Sequence, residues 1–296
     1  MGPGDSLMQN LPLRGGVYRL AMGLAPLDPA AWFDIGRNPG RDLAAKRLLL
    51  DSHPDDVFRV LPEAESPARE LLDLLGIHLP QHHANHFERR GEELFNRATR
   101  ESWNLARPEL HPLDIAGRLL AEDFCLLQSN GAHPILIGAT LCAPAHWRLA
   151  DKIGRPLTAI HGPVPGYASA LGRKVDNFFA TMKPGRLVCR HNWGIADDPE
   201  PFQPIAPELR AVPNAIDAGA QLWLRVERQT LRRLPRTGAI VFTIRTYITR
   251  LDAAIGDAAT ARDLAAAIRG MSPEIRAYKD IERVAPPLLA WLDAFG

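Results

Sequence analysis

Two segments in the last third of the chain alternate between apolar and polar residues, and this alternation constrains the fold more than any other feature. They are Leu222–Thr230 and Ala239–Thr249. A period of two is the repeat of a β-strand, because successive side chains point to opposite faces of a sheet. The turn-forming segment Leu234–Gly238 (LPRTG) lies between them. The sequence therefore predicts an antiparallel hairpin with strands over Gln221–Leu234 and Gly238–Leu251.

One face of this hairpin is predicted to be polar. Its residues are Trp223, Arg225, Glu227 and Gln229 in the first strand and Thr243, Arg245, Tyr247 and Thr249 in the second. If this face is solvated, Glu227 and Arg245 would form a cross-strand ion pair. If it is the wall of a pocket, the same side chains would contact a ligand. Trp223 and Tyr247 favour the pocket, because large aromatic side chains are costly to expose to water.

A histidine lies in a stiff, proline-rich segment, Ile160-His161-Gly162-Pro163-Val164-Pro165-Gly166-Tyr167. Pro163 and Pro165 fix their own φ and lack an N–H, so neither a helix nor a central strand can pass through them. A neutral imidazole on a rigid loop suits a metal or a haem iron. In the alternative interpretation, His161 packs within the loop and hydrogen-bonds a nearby carbonyl.

The cysteine content limits the redox groups that this chain can hold. Cys125, Cys142 and Cys189 are widely spaced, without a Cys-x-x-Cys motif. Three thiols cannot supply the four ligands of an all-cysteine iron–sulfur cluster or zinc site. If the protein performs redox chemistry, we expect its iron–sulfur and flavin groups to lie on other chains.

Charge and hydropathy exclude two classes of partner. The chain has 35 Lys and Arg residues against 34 Asp and Glu residues, so no overall field indicates binding to nucleic acid or to an anionic membrane. No run approaches the roughly 18 continuous apolar residues that span a bilayer. Residues Met1–Arg14 lack the apolar segment of a secretory signal. We therefore expect a cytoplasmic protein.

A second group of histidines comprises His78, His82, His83 and His86. On a helix, His82 and His86 would share a face and could bind zinc. Pro80 and the lack of a nearby third ligand argue against this site.

Apolar spacing predicts the remaining elements. The predicted helices are Ser66–Leu75, Pro112–Gln128, Lys174–Met182, Asp263–Ile268 and Pro286–Phe295, and the further strands are Pro134–Cys142 and Arg186–Ile195. This mixture of helices and antiparallel strands predicts an α+β fold.

Four motifs, in this order, resemble those of the haem-dependent oxidative N-demethylase family, formerly a domain of unknown function. They are Ala121-Glu122-Asp123-Phe124, the segment Ile160–Tyr167, Arg190-His191-Asn192-Trp193, and Glu227–Pro235 continuing into Phe242–Tyr247. The resemblance extends from about Trp32 to Leu251. Each motif alone is weak, but the four in order are specific.

The resemblance implies a PAS-like antiparallel sheet with helices on one side and helical extensions at both ends. A single domain over 1–296 would then comprise a loose N-terminal arm (1–25), a mainly helical extension (26–130), a PAS-like haem-binding core (131–251) and closing helices (252–296).

The resemblance also implies a catalytic subunit that uses haem b and O2 to oxidise a small secondary amine and release formaldehyde. Electrons would come from a separate reductase that carries FMN and a 2Fe-2S cluster. A haem-based gas or redox sensor without turnover is the alternative, and a third is a member that has lost haem.

Carried over residue by residue, the motifs assign roles to particular side chains. His161 is the predicted iron ligand, and Tyr167, Arg190 and Trp193 are predicted to contact the cofactor. By their residue types, Glu227, Arg245 and Tyr247 are predicted to be catalytic, without an assignment of which of them faces the iron. His146 is a rival ligand, whereas His191 occupies the variable position of its motif.

Overall fold

The computed structural model describes residue 16 and residues 18–129, 133–206 and 211–295. Residues 1–15 and 17, which form most of the predicted N-terminal arm, lie outside the described part. The described residues form an α+β fold with a seven-stranded and a three-stranded antiparallel sheet. None of the helices in these ranges is long and apolar enough to cross a membrane.

The strands are β1 (Ala25–Pro26), β2 (Phe58–Val60), β3 (Phe87–Arg90), β4 (Glu93–Asn96), β5 (Glu101–Asn104), β6 (Asp123–Ser129), β7 (Pro134–Thr140), β8 (Leu187–Ala196), β9 (Trp223–Arg233) and β10 (Ile240–Arg250). The α-helices are α1 (Pro39–Ser52), α2 (Pro54–Val57), α3 (Glu65–His82), α4 (Pro112–Leu119), α5 (Leu157–Ile160), α6 (Arg173–Thr181), α7 (Ala218–Gln221), α8 (Leu251–Ala254), α9 (Ala258–Arg269), α10 (Pro273–Tyr278) and α11 (Ala285–Asp293).

The large sheet has the order β1-β8-β9-β10-β6-β7-β2. Its longest pairing is the predicted hairpin of β9 and β10, in which Ile240 lies opposite Arg233 and Arg250 opposite Trp223. The connecting turn contains Gly238 at a φ of +72°, a conformation that favours glycine. The small sheet, β3-β4-β5, is separate and lies before β6 in the chain.

The predicted helix over Pro112–Gln128 is wrong in its second half. Helix α4 ends at Leu119, and the chain continues as the buried strand β6. Phe124 and Leu126 of β6 pack on one side of the sheet, and Cys125 and Leu127 pack on the other. A strand that is buried on both faces is apolar at successive positions, which resembles a helical apolar stripe in sequence.

Helices cover both faces of the large sheet. The front face carries Phe242 and Ile244 and is covered by Phe179 of α6 and Leu157 of α5. The back face carries Val241 and is covered by α3 and α4 at one end. The C-terminal helices pack on the other end of the back face, around Leu224 and Val226.

The turn of the β9–β10 hairpin is held by a buried carboxylate from α3. Glu70 is 1% exposed and accepts hydrogen bonds from the backbone N–H of Arg236 (2.6 Å), the backbone N–H of Thr237 (2.8 Å) and the Thr237 hydroxyl (2.7 Å). This contact fixes the hairpin relative to the helices on the back face.

We expect Glu70→Ala to lower the free energy of unfolding by about 1–3 kcal/mol, because the turn loses the acceptor for three donors. Urea unfolding at neutral pH measures this loss. The exposed Glu109→Ala is the control, with an expected change within about 0.5 kcal/mol. Equal losses in the two variants would contradict the proposed role of Glu70.

Candidate functional site

His161 lies at the C-terminal end of the one-turn helix α5, over the front face. Its Nδ1 is 2.9 Å from the carbonyl oxygen of Leu157, and its ring stacks on Tyr167 with centroids 4.8 Å apart. Because a carbonyl only accepts, Nδ1 must be the donor, and Nε2 then carries the lone pair. Burial lowers the pKa of His161, which favours the neutral imidazole. The predicted carbonyl contact is therefore present, and it prepares Nε2 to bind a metal.

The sheet residues below His161 come from β8 and β9. In the register of these strands, Arg190 lies opposite Gln229 and Asn192 lies opposite Glu227, all on the front face. Arg190 is near enough to His161 for its charge to lower the pKa of the imidazole. The predicted residues His161, Tyr167, Arg190 and Glu227 are thus on one side of the sheet.

The Glu227 carboxylate is surrounded by donors. Oε1 accepts from Nε of Arg225 (3.3 Å), and Oε2 accepts from Nδ2 of Asn192 (3.2 Å) and Nε2 of Gln229 (2.9 Å). A carboxylate offers about four lone-pair positions, so one position on Oε1 is left for a further donor.

Two buried polar atoms at this site lack a partner. Neither the hydroxyl of Tyr167 nor Nε of Arg190 makes a hydrogen bond to any described residue. Buried donors without partners are uncommon, and a bound group with acceptor atoms would satisfy these two. Together with the free lone pair of His161, these atoms suit an iron-containing ligand that also bears oxygen acceptors, as haem does.

Lys279 joins the site from the turn after α10, and the sequence analysis missed it. Its Nζ donates to the carbonyl oxygen of Trp193 (2.6 Å) and to Oδ1 of Asn192 (3.4 Å). Burial lowers the pKa of Lys279 to about 8, with Glu227 opposing and Arg190 reinforcing that shift. No local pattern marks this lysine, because its partners are more than 80 residues away in the chain.

Arg245 and Tyr247 lie on the back face, away from His161. Arg245 is opposite Arg228 in the register, whereas Glu227 is opposite Thr246. The predicted shared polar face and the predicted Glu227–Arg245 ion pair are therefore wrong. The register instead places Tyr247 opposite Val226 and Thr249 opposite Leu224, so the polar residues of β10 share the back face with the apolar residues at the start of β9.

On the back face, Arg245 and Tyr247 bind the segment that precedes and begins α1. Nη2 of Arg245 is 2.5 Å from Oδ2 of Asp42, and the Tyr247 hydroxyl donates to Asp34. Oε1 of the fully buried Glu122 accepts the backbone N–H of Asp34 at 2.9 Å. Burial raises the pKa of Glu122, with Arg245 acting in the opposite direction. These contacts anchor the N-terminal part of the chain to the sheet.

Trp193 is also on the back face. It lies opposite Val226 in the register and belongs to the apolar cluster formed with the C-terminal helices. Its indole packs in that core, and only its backbone carbonyl reaches the front-face network, through Lys279.

The other histidines fit an iron ligand less well than His161. His146 has both ring nitrogens engaged, Nδ1 with Asp280 and Nε2 with Oε1 of Gln203 at 3.2 Å. His191 lies on the back face opposite Arg228. Among the described residues, no group of three or more His, Cys, Asp and Glu side chains could hold a metal ion, and this includes the histidines of residues 78–86.

The three cysteines are free and buried. Burial raises the pKa of Cys142 to about 12 and also raises the pKa of Cys125 and Cys189. Buried, protonated thiols are poor ligands and poor nucleophiles.

Comparison with known proteins gives one family match. The model of the family described as haem-dependent oxidative N-demethylase, alpha subunit-like, matches residues 23–289. The match includes the C-terminal turn that carries Lys279.

The His146–Asp280 pair predicts a pH dependence of stability. Its hydrogen bond with Asp280 raises the pKa of His146. A raised folded-state pKa means that the stabilisation is complete below about pH 6.5, the ordinary histidine value, and is lost as the pH rises through the raised pKa. We expect the difference in unfolding free energy between wild type and His146→Gln to be largest near about pH 6 and to shrink at higher pH.

Urea unfolding over a series of pH values measures this difference. Asp280→Asn should remove the same pH-dependent component, and the double variant should remove no more of it. A difference that is constant over the whole pH range would contradict the ion pair.

Proposed function

Because the chain belongs to the haem-dependent oxidative N-demethylase, alpha-subunit-like family, we propose that it catalyses the oxidative N-demethylation of a small secondary amine. For dimethylamine, one amine, one O2, two electrons and two protons would give methylamine, formaldehyde and water. The nitrogen–methyl bond is broken, the methyl carbon is oxidised to formaldehyde, and the second oxygen atom leaves as water.

The observation that carries this proposal is the hydrogen bonding and packing of His161. Its tautomer is set by Leu157, its ring is held against Tyr167, and its Nε2 makes no hydrogen bond to a described residue. A histidine with these properties would suit the iron of haem b as a ligand. Haem iron, when bound, supplies the O2 chemistry and the electron transfer that side chains cannot.

The topology supports a PAS-like core. Numbered in chain order, the five strands β6 to β10 have the spatial order 3-4-5-1-2, and all are antiparallel. The long connection between β7 and β8 contains α5 and α6 and covers the front face. Such a connection over a five-stranded sheet is the arrangement that a PAS-like haem protein needs to enclose its cofactor.

Glu227 is the residue that we propose binds the amine. Arg225, Asn192 and Gln229 hold its carboxylate on the front face and leave one acceptor position on Oε1. A protonated secondary amine would donate to that position and bring its methyl group to a fixed place.

The electrons would come from a partner. In the described residues, the three buried thiols offer no cluster site. We propose that FMN and a 2Fe-2S cluster reside on a separate reductase, in keeping with the alpha-subunit-like family description.

The first prediction concerns the iron ligand. His161→Gly should lose most of its haem affinity, because the axial bond is removed, whereas His146→Gln and His191→Gln should retain the wild-type spectrum. Haem titration followed at the Soret band measures this. Added imidazole should restore the band in His161→Gly, and a native spectrum without imidazole would show that another residue is the ligand.

The second prediction concerns turnover. Haem-loaded protein that is mixed with O2 and dimethylamine, and supplied with electrons by a generic ferredoxin reductase, should release formaldehyde. Glu227→Gln should retain haem but release formaldehyde about tenfold more slowly or worse, because the amide cannot form a charge-assisted bond to the amine.

Glu109→Gln is the control for this loss of a carboxylate, since Glu109 is exposed. Tyr247→Phe tests the back face, and its normal turnover would agree with the anchoring contact to Asp34. If the reduced wild-type protein takes up O2 and no amine changes the outcome, the sensor alternative is favoured instead.

A further inference from the structure

The front face contains more positive charge than the ion pairs of its described residues balance. Arg225 is 6% exposed and pairs with Glu227. Arg190 and Lys279 form no ion pair with a carboxylate among the described residues. Glu227 attracts both only at longer range.

Arg190 and Lys279 are partly buried, and this is unfavourable for two cations without a carboxylate partner unless something supplies negative charge. Burial lowers the pKa of Arg190 and of Lys279, which records this penalty on each side chain. Arg190 also has a buried Nε without an acceptor. Lys279 has three donors and uses two of them, on Trp193 and Asn192.

The two cations are positioned to act together. Arg190 and Asn192 are alternate residues of β8 on the same face, and Asn192 accepts from Lys279. Among the described residues, β1 pairs only with Val188 and Cys189, so no strand pairs with the outer edge of β8 beyond Cys189. Arg190 lies in this part of β8, beside the bound Lys279 side chain, and is close enough to His161 to lower the pKa of its imidazole.

We propose that Arg190 and Lys279 bind the two propionate carboxylates of haem, and that the C-terminal turn is therefore part of the cofactor site. This inference rests on the proposed function, since it assumes that haem binds on the front face. Lys279, which lies in the turn after α10 and outside the sheet, would then be a ligand-binding residue. One carboxylate on each cation would neutralise both and provide the acceptor that Arg190 Nε lacks.

The test compares iron protoporphyrin IX with its dimethyl ester, in which both propionates are uncharged. Titration of the apo-protein at the Soret band gives both affinities. Wild type should prefer the diacid by about tenfold or more, because charge-assisted hydrogen bonds are lost in the ester. Lys279→Met should lose about tenfold of that preference while still binding the ester as wild type does.

Two further variants serve as controls. Lys279→Arg retains the charge and should retain the preference for the diacid. Lys183→Met removes a charge from an exposed lysine and should behave as wild type. Circular dichroism of the apo form checks that Lys279→Met is folded, since this variant also loses the hydrogen bonds to Trp193 and Asn192.

The outcomes separate this inference from the proposed function. Binding of both porphyrins with an unchanged preference in Lys279→Met contradicts the role of Lys279 and leaves the haem site intact. A wild-type protein that binds neither porphyrin contradicts the haem site and this inference together.

Discussion

The pairing of β9 with β10 is the constraint on which the rest of the structure depends. These two strands lie at the centre of the sheet and are paired along their whole length, from Ile240–Arg233 to Arg250–Trp223. Because side chains alternate between faces, a slip of one residue would exchange every front-face and back-face residue. Glu70 of α3 fixes the turn between the two strands. The register, which places Glu227 on the front face and Arg245 on the back face, is therefore set both by the strand pairing and by the contact with α3.

The two faces use their charged residues for different purposes. On the back, Arg245 is balanced by Asp42 and by the nearby Glu122, and the resulting contacts attach the N-terminal segment to the sheet. On the front, no carboxylate of a described residue forms an ion pair with Arg190 or Lys279, and Glu227 already pairs with Arg225. A balanced network stabilises the fold by itself, whereas an unbalanced one is stabilised by what binds to it. This contrast agrees with the proposed ligand site on the front face and does not depend on His161.

Local patterns were sufficient to predict some features and not others. The hairpin follows from a period of two around a proline–glycine turn, and the stiffness of the His161 loop follows from Pro163 and Pro165; both are properties of neighbouring residues. The register between β9 and β10 depends on the length and geometry of the turn, so the sequence predicted the alternation of each strand but assigned Glu227 and Arg245 to one face.

Strand β6 was mistaken for helix because burial on both faces removes the polar positions that identify a strand. Lys279 could not be found in this way, since its role exists only after the C-terminal helices pack on the sheet.

The C-terminal turn connects the packing of the fold to the composition of the site. Asp280 directly follows Lys279 and has a φ of +56°, and its partner His146 has a φ of +57°. Left-handed conformations in residues other than glycine are unfavourable and persist where other contacts hold them. Here the contact between His146 and Asp280, together with the hydrogen bond from Lys279 Nζ to the Trp193 carbonyl, supplies that support.

A ligand that neutralises Lys279 would strengthen the same turn, because a group that binds only the folded arrangement stabilises that arrangement, and does so more when it binds more tightly. Cofactor binding and the docking of the C-terminal segment are therefore expected to be thermodynamically coupled, so that each favours the other.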